Sequence, residues 1–129
     1  MARRATNRPT DGELEILKVL WERGPSTVRE VREVLLSQRQ VAHTTVLTLL
    51  QIMVEKGLVE ADTSSRAHIY RTRQARPSLV RKMAHDLLDR VFEGSAPELV
   101  QYALQGRRAT PEELAEIRRI IDEVERRSR

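Results

Sequence analysis

Apolar residues recur every three or four positions in three segments of the first half of the chain, the spacing of one face of an α-helix. The first segment follows a capping box, in which Thr10 and Glu13 satisfy backbone N–H groups at the helix start. Thr27 and Glu30 form a second box before the second segment, and the third segment spans residues 43–56. The pattern therefore predicts three helices. Their inward residues are Leu14, Ile16, Leu17, Leu20, Trp21, Val28, Val31, Val34, Leu35, Val46, Leu49, Leu50, Met53 and Val54.

The pattern changes after Gly57, a residue suited to end the third helix. Residues 58–61 and 68–71 are short segments with β-forming residues, and the polar, basic residues 62–67 separate them. We therefore expect a hairpin with a polar tip. Three helices closed by a two-stranded wing are the components of a winged helix-turn-helix domain.

Residues 76–129 contain three further amphipathic segments, two of which begin at capping boxes that start with Ser95 and Thr110. Their apolar stripes would remain uncovered in a monomer, so we expect a second copy of the chain to cover them. The alternative, in which these helices fold back on the first domain as one monomeric core, stays open. The expected dimer-interface residues are Leu87, Leu88, Val91, Leu99, Leu104, Ile117, Ile120 and Ile121.

The predicted fold is thus mainly α, with an N-terminal winged helix-turn-helix and a C-terminal helical dimerisation region. Residues 1–9 are Arg-rich and without periodicity, which is typical of a mobile basic arm. Residues 10–75 form the winged-helix DNA-binding domain, and residues 76–129 form the helical dimerisation region.

Composition excludes several other classes of protein. The chain has no cysteine, which excludes disulfides and thiolate metal sites. Its three histidines, His43, His68 and His85, lack metal-ligand spacing, and no phosphate loop or nucleophile motif is present. No apolar run is long enough to span a membrane. We therefore expect a cytoplasmic protein without metal, cofactor, enzymatic activity or membrane insertion.

The third helix carries the most specific chemistry. Thr44, Thr48 and Gln51 share its outward face, with Thr45 beside them. Hydroxyl, amide and methyl groups can recognise base edges in a DNA major groove, so we predict that these four residues read bases. Because the formal net charge is only +4, phosphate binding depends on cations placed locally. The predicted phosphate-binding residues are His43, Lys56, Arg66, Arg71 and Arg73.

Four stretches, residues 13–21, 44–51, 55–59 and 66–70, resemble the penicillinase-repressor family of BlaI, MecI and CopY. The resemblance covers about residues 8–126 and is most specific from Thr44 to Val59. It implies a homodimeric transcriptional repressor, with a winged helix on each operator half-site and C-terminal helices that form the dimer. It also implies that Thr44, Thr45 and Thr48 occupy operator-contacting positions.

The resemblance also implies release of the repressor by a membrane sensor protease, which in the β-lactam-responsive branch cuts an Asn-Phe bond. The comparable residues 100–104 lack that dipeptide, and the copper-sensing cysteines of another branch are absent. Two other functions stay open. One is a ligand-responsive regulator of the MarR type, and the other is a winged-helix module that binds a partner protein instead of DNA.

Overall fold

Six helices and three short strands make up residues 8–129, the part of the chain that the computed structural model describes. Residues 1–7, most of the predicted basic arm, lie outside the described residues. The prediction of a mainly α winged-helix fold is confirmed. The elements in chain order are α1 (Asp11–Arg23), β1 (Ser26–Thr27), α2 (Val28–Leu36), α3 (His43–Lys56), β2 (Val59–Asp62), β3 (Ile69–Thr72), α4 (Arg76–Phe92), α5 (Ala96–Leu104) and α6 (Pro111–Arg127).

The first two helices begin with the predicted capping boxes. The Thr10 hydroxyl accepts a hydrogen bond from the Glu13 N–H at 3.3 Å, and Glu13 Oε1 accepts one from the Thr10 N–H at 2.9 Å. Thr27 and Glu30 repeat the arrangement at 3.2 and 2.9 Å. Because each box satisfies two N–H groups that the helix itself leaves unpaired, the starts of α1 and α2 are fixed by their own sequence.

In α5 and α6, only one of the two hydrogen bonds of each predicted capping box forms, the one that the N-cap hydroxyl accepts. Ser95 and Thr110 accept hydrogen bonds from the N–H groups of Glu98 and Glu113 at 3.2 and 3.0 Å. The Glu113 carboxylate accepts a hydrogen bond from the Arg107 guanidinium at 3.3 Å. An exposed carboxylate thus has a partner in the preceding loop that the capping pattern does not predict.

The wing contains one more strand than predicted. The sheet order is β1-β3-β2, and both pairings are antiparallel. Ser26, in β1, lies opposite Tyr70 and is fully buried, and its hydroxyl donates a hydrogen bond to the Gly24 carbonyl at 2.8 Å. A strand of two residues is too short to show a periodic pattern in the sequence, so β1 can be recognised only from its pairing with β3 in the structure.

The hydrophobic core lies between α1, α2, α3 and the inner face of the sheet, and Leu79 of α4 joins it. The prediction that Val54 of α3 points inward is wrong, since its side chain is 38% exposed. The buried stripe of α3 consists of Val46, Leu50 and Met53. The buried apolar residues are Ile16, Leu17, Val19, Leu20, Val31, Leu35, Val41, Val46, Leu50, Met53, Leu58, Val59, Tyr70 and Leu79.

The chain divides into two compact units, and the division falls within α4, between Ala84 and His85. It lies later than the predicted boundary at residue 75 because Leu79 and Met83 pack with the core of the first unit. In the second unit, His85–Arg129, no residue is buried. Its exposed large apolar residues are Leu87, Val91, Val100, Tyr102, Ile120, Ile121 and Val124.

A buried ion pair joins the start of α1 to the end of α3. Lys56 Nζ lies 2.6 Å from Glu13 Oε1 and donates a further hydrogen bond to the Arg8 carbonyl at 2.8 Å. The Glu13 and Lys56 side chains are only 3% and 11% exposed. Because Glu13 also caps α1, one carboxylate fixes the start of α1 against the end of α3.

We expect Lys56→Ala to lower the free energy of unfolding by about 3–5 kcal/mol, because it leaves the Glu13 carboxylate buried without a counter-charge. Urea unfolding followed by the fluorescence of Trp21, the one tryptophan of the chain, measures the loss. Lys18→Ala, at an exposed lysine of α1, is the matched control and should change stability by less than about 0.5 kcal/mol.

The double variant Glu13→Gln/Lys56→Met removes both charges and keeps an amide oxygen at position 13 for the Thr10 N–H. It should recover most of the lost stability. If Lys56→Ala unfolds at the same urea concentration as Lys18→Ala, the ion pair does not hold the two helix ends.

Candidate nucleic-acid interface

The outward face of α3 is polar and uncharged over its first nine residues. Thr44, Thr45, Thr48 and Gln51, the four predicted base-reading residues, are all exposed on it. The face is fixed by the opposite stripe of α3, which is buried in the core. Such a face can recognise base edges through its hydroxyl, amide and methyl groups. Because the helix is rigid and these side chains are short, no long side chain has to become ordered on binding.

The N-terminus of α3 differs from those of α1 and α2. Its N-cap is Ala42, which supplies no side-chain hydrogen bond, and its first turn contains no acidic residue. The first N–H groups of the helix, with the positive end of its dipole, therefore favour an anion in that position.

The wing lies along α3, with its tip at the N-terminal end of the helix. His43 and Leu47 of α3, with Arg66 and His68 of the wing, line a cleft of about 610 Å³. At the other end, a methyl group on Gly57 would lie 3.8 Å from the Arg73 guanidinium. Because α3 has 14 residues at about 1.5 Å each, the base of the wing lies about 20 Å from the helix start.

The first turn of α2 forms the third wall of this cleft. It contributes Arg29, with a side chain that is 84% exposed and pairs with Glu33 at 3.5 Å. The Glu30 carboxylate also lines the cleft, and the hydrogen bond from the Thr27 backbone N–H, together with the Arg23 guanidinium at 2.9 Å, lowers its pKa. Both carboxylates of the cleft thus have cationic partners.

Arg66, at the wing tip, has no ion-pair partner among residues 8–129. The structure brings Arg66 and His43, two of the predicted phosphate-binding residues, to the same cleft. Arg66 therefore supplies positive charge that is not held in an ion pair with any of residues 8–129, at the mouth of a cleft beside the threonine face.

The other three predicted phosphate-binding residues lie elsewhere. Arg71 and Arg73, near the base of the wing, both pair with Glu60, at 3.3 and 3.6 Å. The structure places the Lys56 ammonium group in the buried ion pair with Glu13 and away from the surface. The burial of the Lys56 side chain therefore gives no support to a phosphate contact by this residue.

Sequence reasoning missed Arg29 and His68 as residues of the cleft, because their proximity arises from the packing of α2 against the wing. One signal for Arg29 was present in the sequence. A cation in the first turn of a helix lies at the positive end of the dipole, where it is disfavoured unless an anion or another function requires it.

Within residues 8–129, no three His, Cys, Asp or Glu side chains group closely enough to hold a metal ion. None of the helices in that range combines the length and apolarity needed to cross a membrane.

The sequence pattern of the penicillinase repressor family matches residues 9–123, which include nearly all of both units. The chain belongs to this family. Among its relatives, the transcriptional regulator BlaI of Mycobacterium tuberculosis is 34% identical over 119 residues, which cover 88% of this chain and 84% of the relative.

Two other relatives extend the similarity across the family. The penicillinase repressor of Bacillus licheniformis is 24% identical over 120 residues, covering 93% of this chain and 94% of the relative. The methicillin resistance regulatory protein MecI of Mammaliicoccus sciuri is 19% identical over 113 residues, with coverages of 88% and 92%. The resemblance found in the sequence is confirmed, and membership of this family supports a role in transcriptional repression.

Proposed function

We propose that this chain is a homodimeric transcriptional repressor that binds an inverted repeat in a promoter through its winged helix. The observation that carries the proposal is the exposed, uncharged threonine face of α3 beside a cleft whose mouth carries Arg66. Such a surface separates sequence reading from phosphate binding, as DNA-binding proteins commonly do.

In this proposal α3 enters the major groove and the wing tip lies over the neighbouring minor groove. The phosphate strand between the two grooves then passes over the cleft, where Arg66, Arg29, His43 and His68 can contact it. The base edges are read by Thr44, Thr45, Thr48 and Gln51. The threonine methyl groups can pack on the methyl group of thymine, and the side-chain oxygens of all four residues can accept hydrogen bonds from donors on the bases.

The second unit supports dimerisation. Ile120, Ile121 and Val124 of α6 are each about half exposed, and Ile117 and Leu114 continue the same helical stripe toward the N-terminus. Contiguous apolar surface of this kind marks an interaction site, and a second copy provides a matching stripe through two-fold symmetry. Two α3 helices related by that symmetry suit two half-sites of an inverted repeat.

Repression follows from occupancy, because a dimer bound across a promoter excludes the polymerase. Induction requires that the dimer or its DNA contact be weakened. Residues 100–104, the stretch comparable to the protease site of other members, lie on α5 and lack the Asn-Phe bond. The proposal therefore does not require cleavage by a sensor protease at that site.

We expect Thr48→Ala to reduce the preference for operator over scrambled DNA by about 1–3 kcal/mol, because it removes a base-reading group from the centre of the face. Fluorescence anisotropy measures both affinities, with the duplex upstream of the chain's own gene as the candidate operator. Thr48→Val keeps a methyl group and removes the hydroxyl, so it separates methyl packing from hydrogen bonding. An equal loss on both duplexes contradicts base reading, and wild-type protein without any preference points to a protein-interaction module.

We expect Arg66→Ala to weaken binding to both duplexes alike. The plot of log affinity against log salt should become less steep by about one, since one phosphate contact is lost. Arg39→Ala removes the same charge from a residue that pairs with Glu15, and it should leave the slope unchanged. A slope that does not respond to Arg66→Ala removes the wing tip from the interface.

We expect Ile120→Glu to convert the dimer to a monomer and to weaken operator binding by at least about tenfold, because it places a charge in the apolar stripe of α6. Ala115→Glu introduces the same charge on the opposite face of α6 and should leave the dimer intact. Sedimentation velocity distinguishes the two states. A monomeric wild-type protein, or a dimer that survives Ile120→Glu, contradicts an interface on this stripe.

A further inference from the structure

Glu60 lies between two arginines on the solvent face of the wing. It is opposite Arg71 in the register of β2 and β3, and Arg71 Nε lies 3.3 Å from Glu60 Oε1. Arg73 follows two residues later on the same face, and its Nε lies 3.6 Å from Glu60 Oε2. One carboxylate thus holds two guanidinium groups, one on each oxygen.

We propose that Glu60 acts as an internal substitute for DNA phosphate, which restrains Arg71 and Arg73 and thereby suppresses sequence-independent DNA binding. The proposal rests on the DNA-binding function proposed above. A carboxylate and a DNA phosphate each offer a guanidinium two anionic oxygens as acceptors, so a DNA phosphate and Glu60 compete for the same donors.

The position of these arginines explains why such a restraint favours the operator. Arg73 lies beside Gly57, at the end of α3 that is about 20 Å from its N-terminus, whereas Arg66 lies at the wing tip beside that N-terminus. In the operator complex, base contacts by α3 fix the tip on the DNA and leave the base of the wing outside the contact. In a loose complex held only by phosphates, any free guanidinium on the wing can bind.

The restraint is also weak enough to tune binding without preventing it. Glu60, Arg71 and Arg73 are each about half exposed, and exposed ion pairs of this kind exchange readily with solvent or other anions. Arg66 is not restrained in this way, because it has no ion-pair partner within residues 8–129. The wing therefore combines a free cation at its tip with restrained cations at its base.

The test measures binding of the full chain to a random-sequence duplex at several salt concentrations. Glu60→Gln keeps the size and strand position of the side chain and releases both arginines. We expect it to raise random-duplex affinity about three- to tenfold at low salt and to steepen the salt slope by about one to two. With the operator duplex, the increase is expected to be smaller than with the random duplex.

A double-mutant comparison separates local restraint from the loss of one negative charge. In the Arg71→Gln/Arg73→Gln background, Glu60→Gln should change random-duplex affinity much less than it does in the wild type. An equal increase in both backgrounds overturns the proposal, as does an unchanged random-duplex affinity or an equal increase on both duplexes.

Failure of the repressor function itself is distinguishable. If the wild-type protein shows no operator preference while Glu60→Gln still raises random-duplex affinity through Arg71 and Arg73, the restraint holds and the proposed operator reading fails. If operator preference is present and Glu60→Gln changes nothing, the repressor function holds and the restraint fails.

Discussion

The buried ion pair between Glu13 and Lys56 is the constraint on which the position of α3 and its threonine face depends. It ties the capped start of α1 to the last turn of α3, at the junction where α3 gives way to the wing. Two buried charges that satisfy each other contribute little net stability, yet either one alone is costly to leave in the interior. Alternative positions of α3 that separate the pair are therefore disfavoured, which keeps the threonine face and the wing tip on one side of the first unit.

In the proposed repressor, affinity for DNA and sequence reading come from different residues. The outward face of α3 carries no charge over its first nine residues, whereas cations lie near it on α2 and the wing. Most of those cations have carboxylate partners: Arg29 pairs with Glu33, while Arg71 and Arg73 share Glu60. Under the proposed function, a small net charge and locally compensated arginines limit attraction to DNA in general, and the preference for one site depends on the fit of uncharged groups to base edges.

Local signals predicted well those features that depend on neighbouring residues. The capping boxes at Thr10 and Thr27 and the glycine end of α3 at Gly57 are set within four residues of chain, and the structure has each where the sequence places it. Features that depend on distant residues were not predictable in this way. The short strand β1 exists only through its pairing with β3, and the burial of Lys56 requires Glu13, which lies 43 positions earlier.

The most direct test of the proposed function determines which part of the operator lies against the outward face of α3. The chain has no cysteine, so Glu55→Cys provides a single attachment point for a DNA-cleaving chelate at the end of that face, beside the base-reading residues and outside them. Glu22→Cys, at an exposed position of α1, is the control. If α3 enters the major groove of each half-site, the chelate at position 55 cleaves the operator at two symmetric positions, one in each half-site, and the chelate at position 22 does not cleave it. Cleavage that is spread along the duplex, or equal from both positions, would contradict the proposed function.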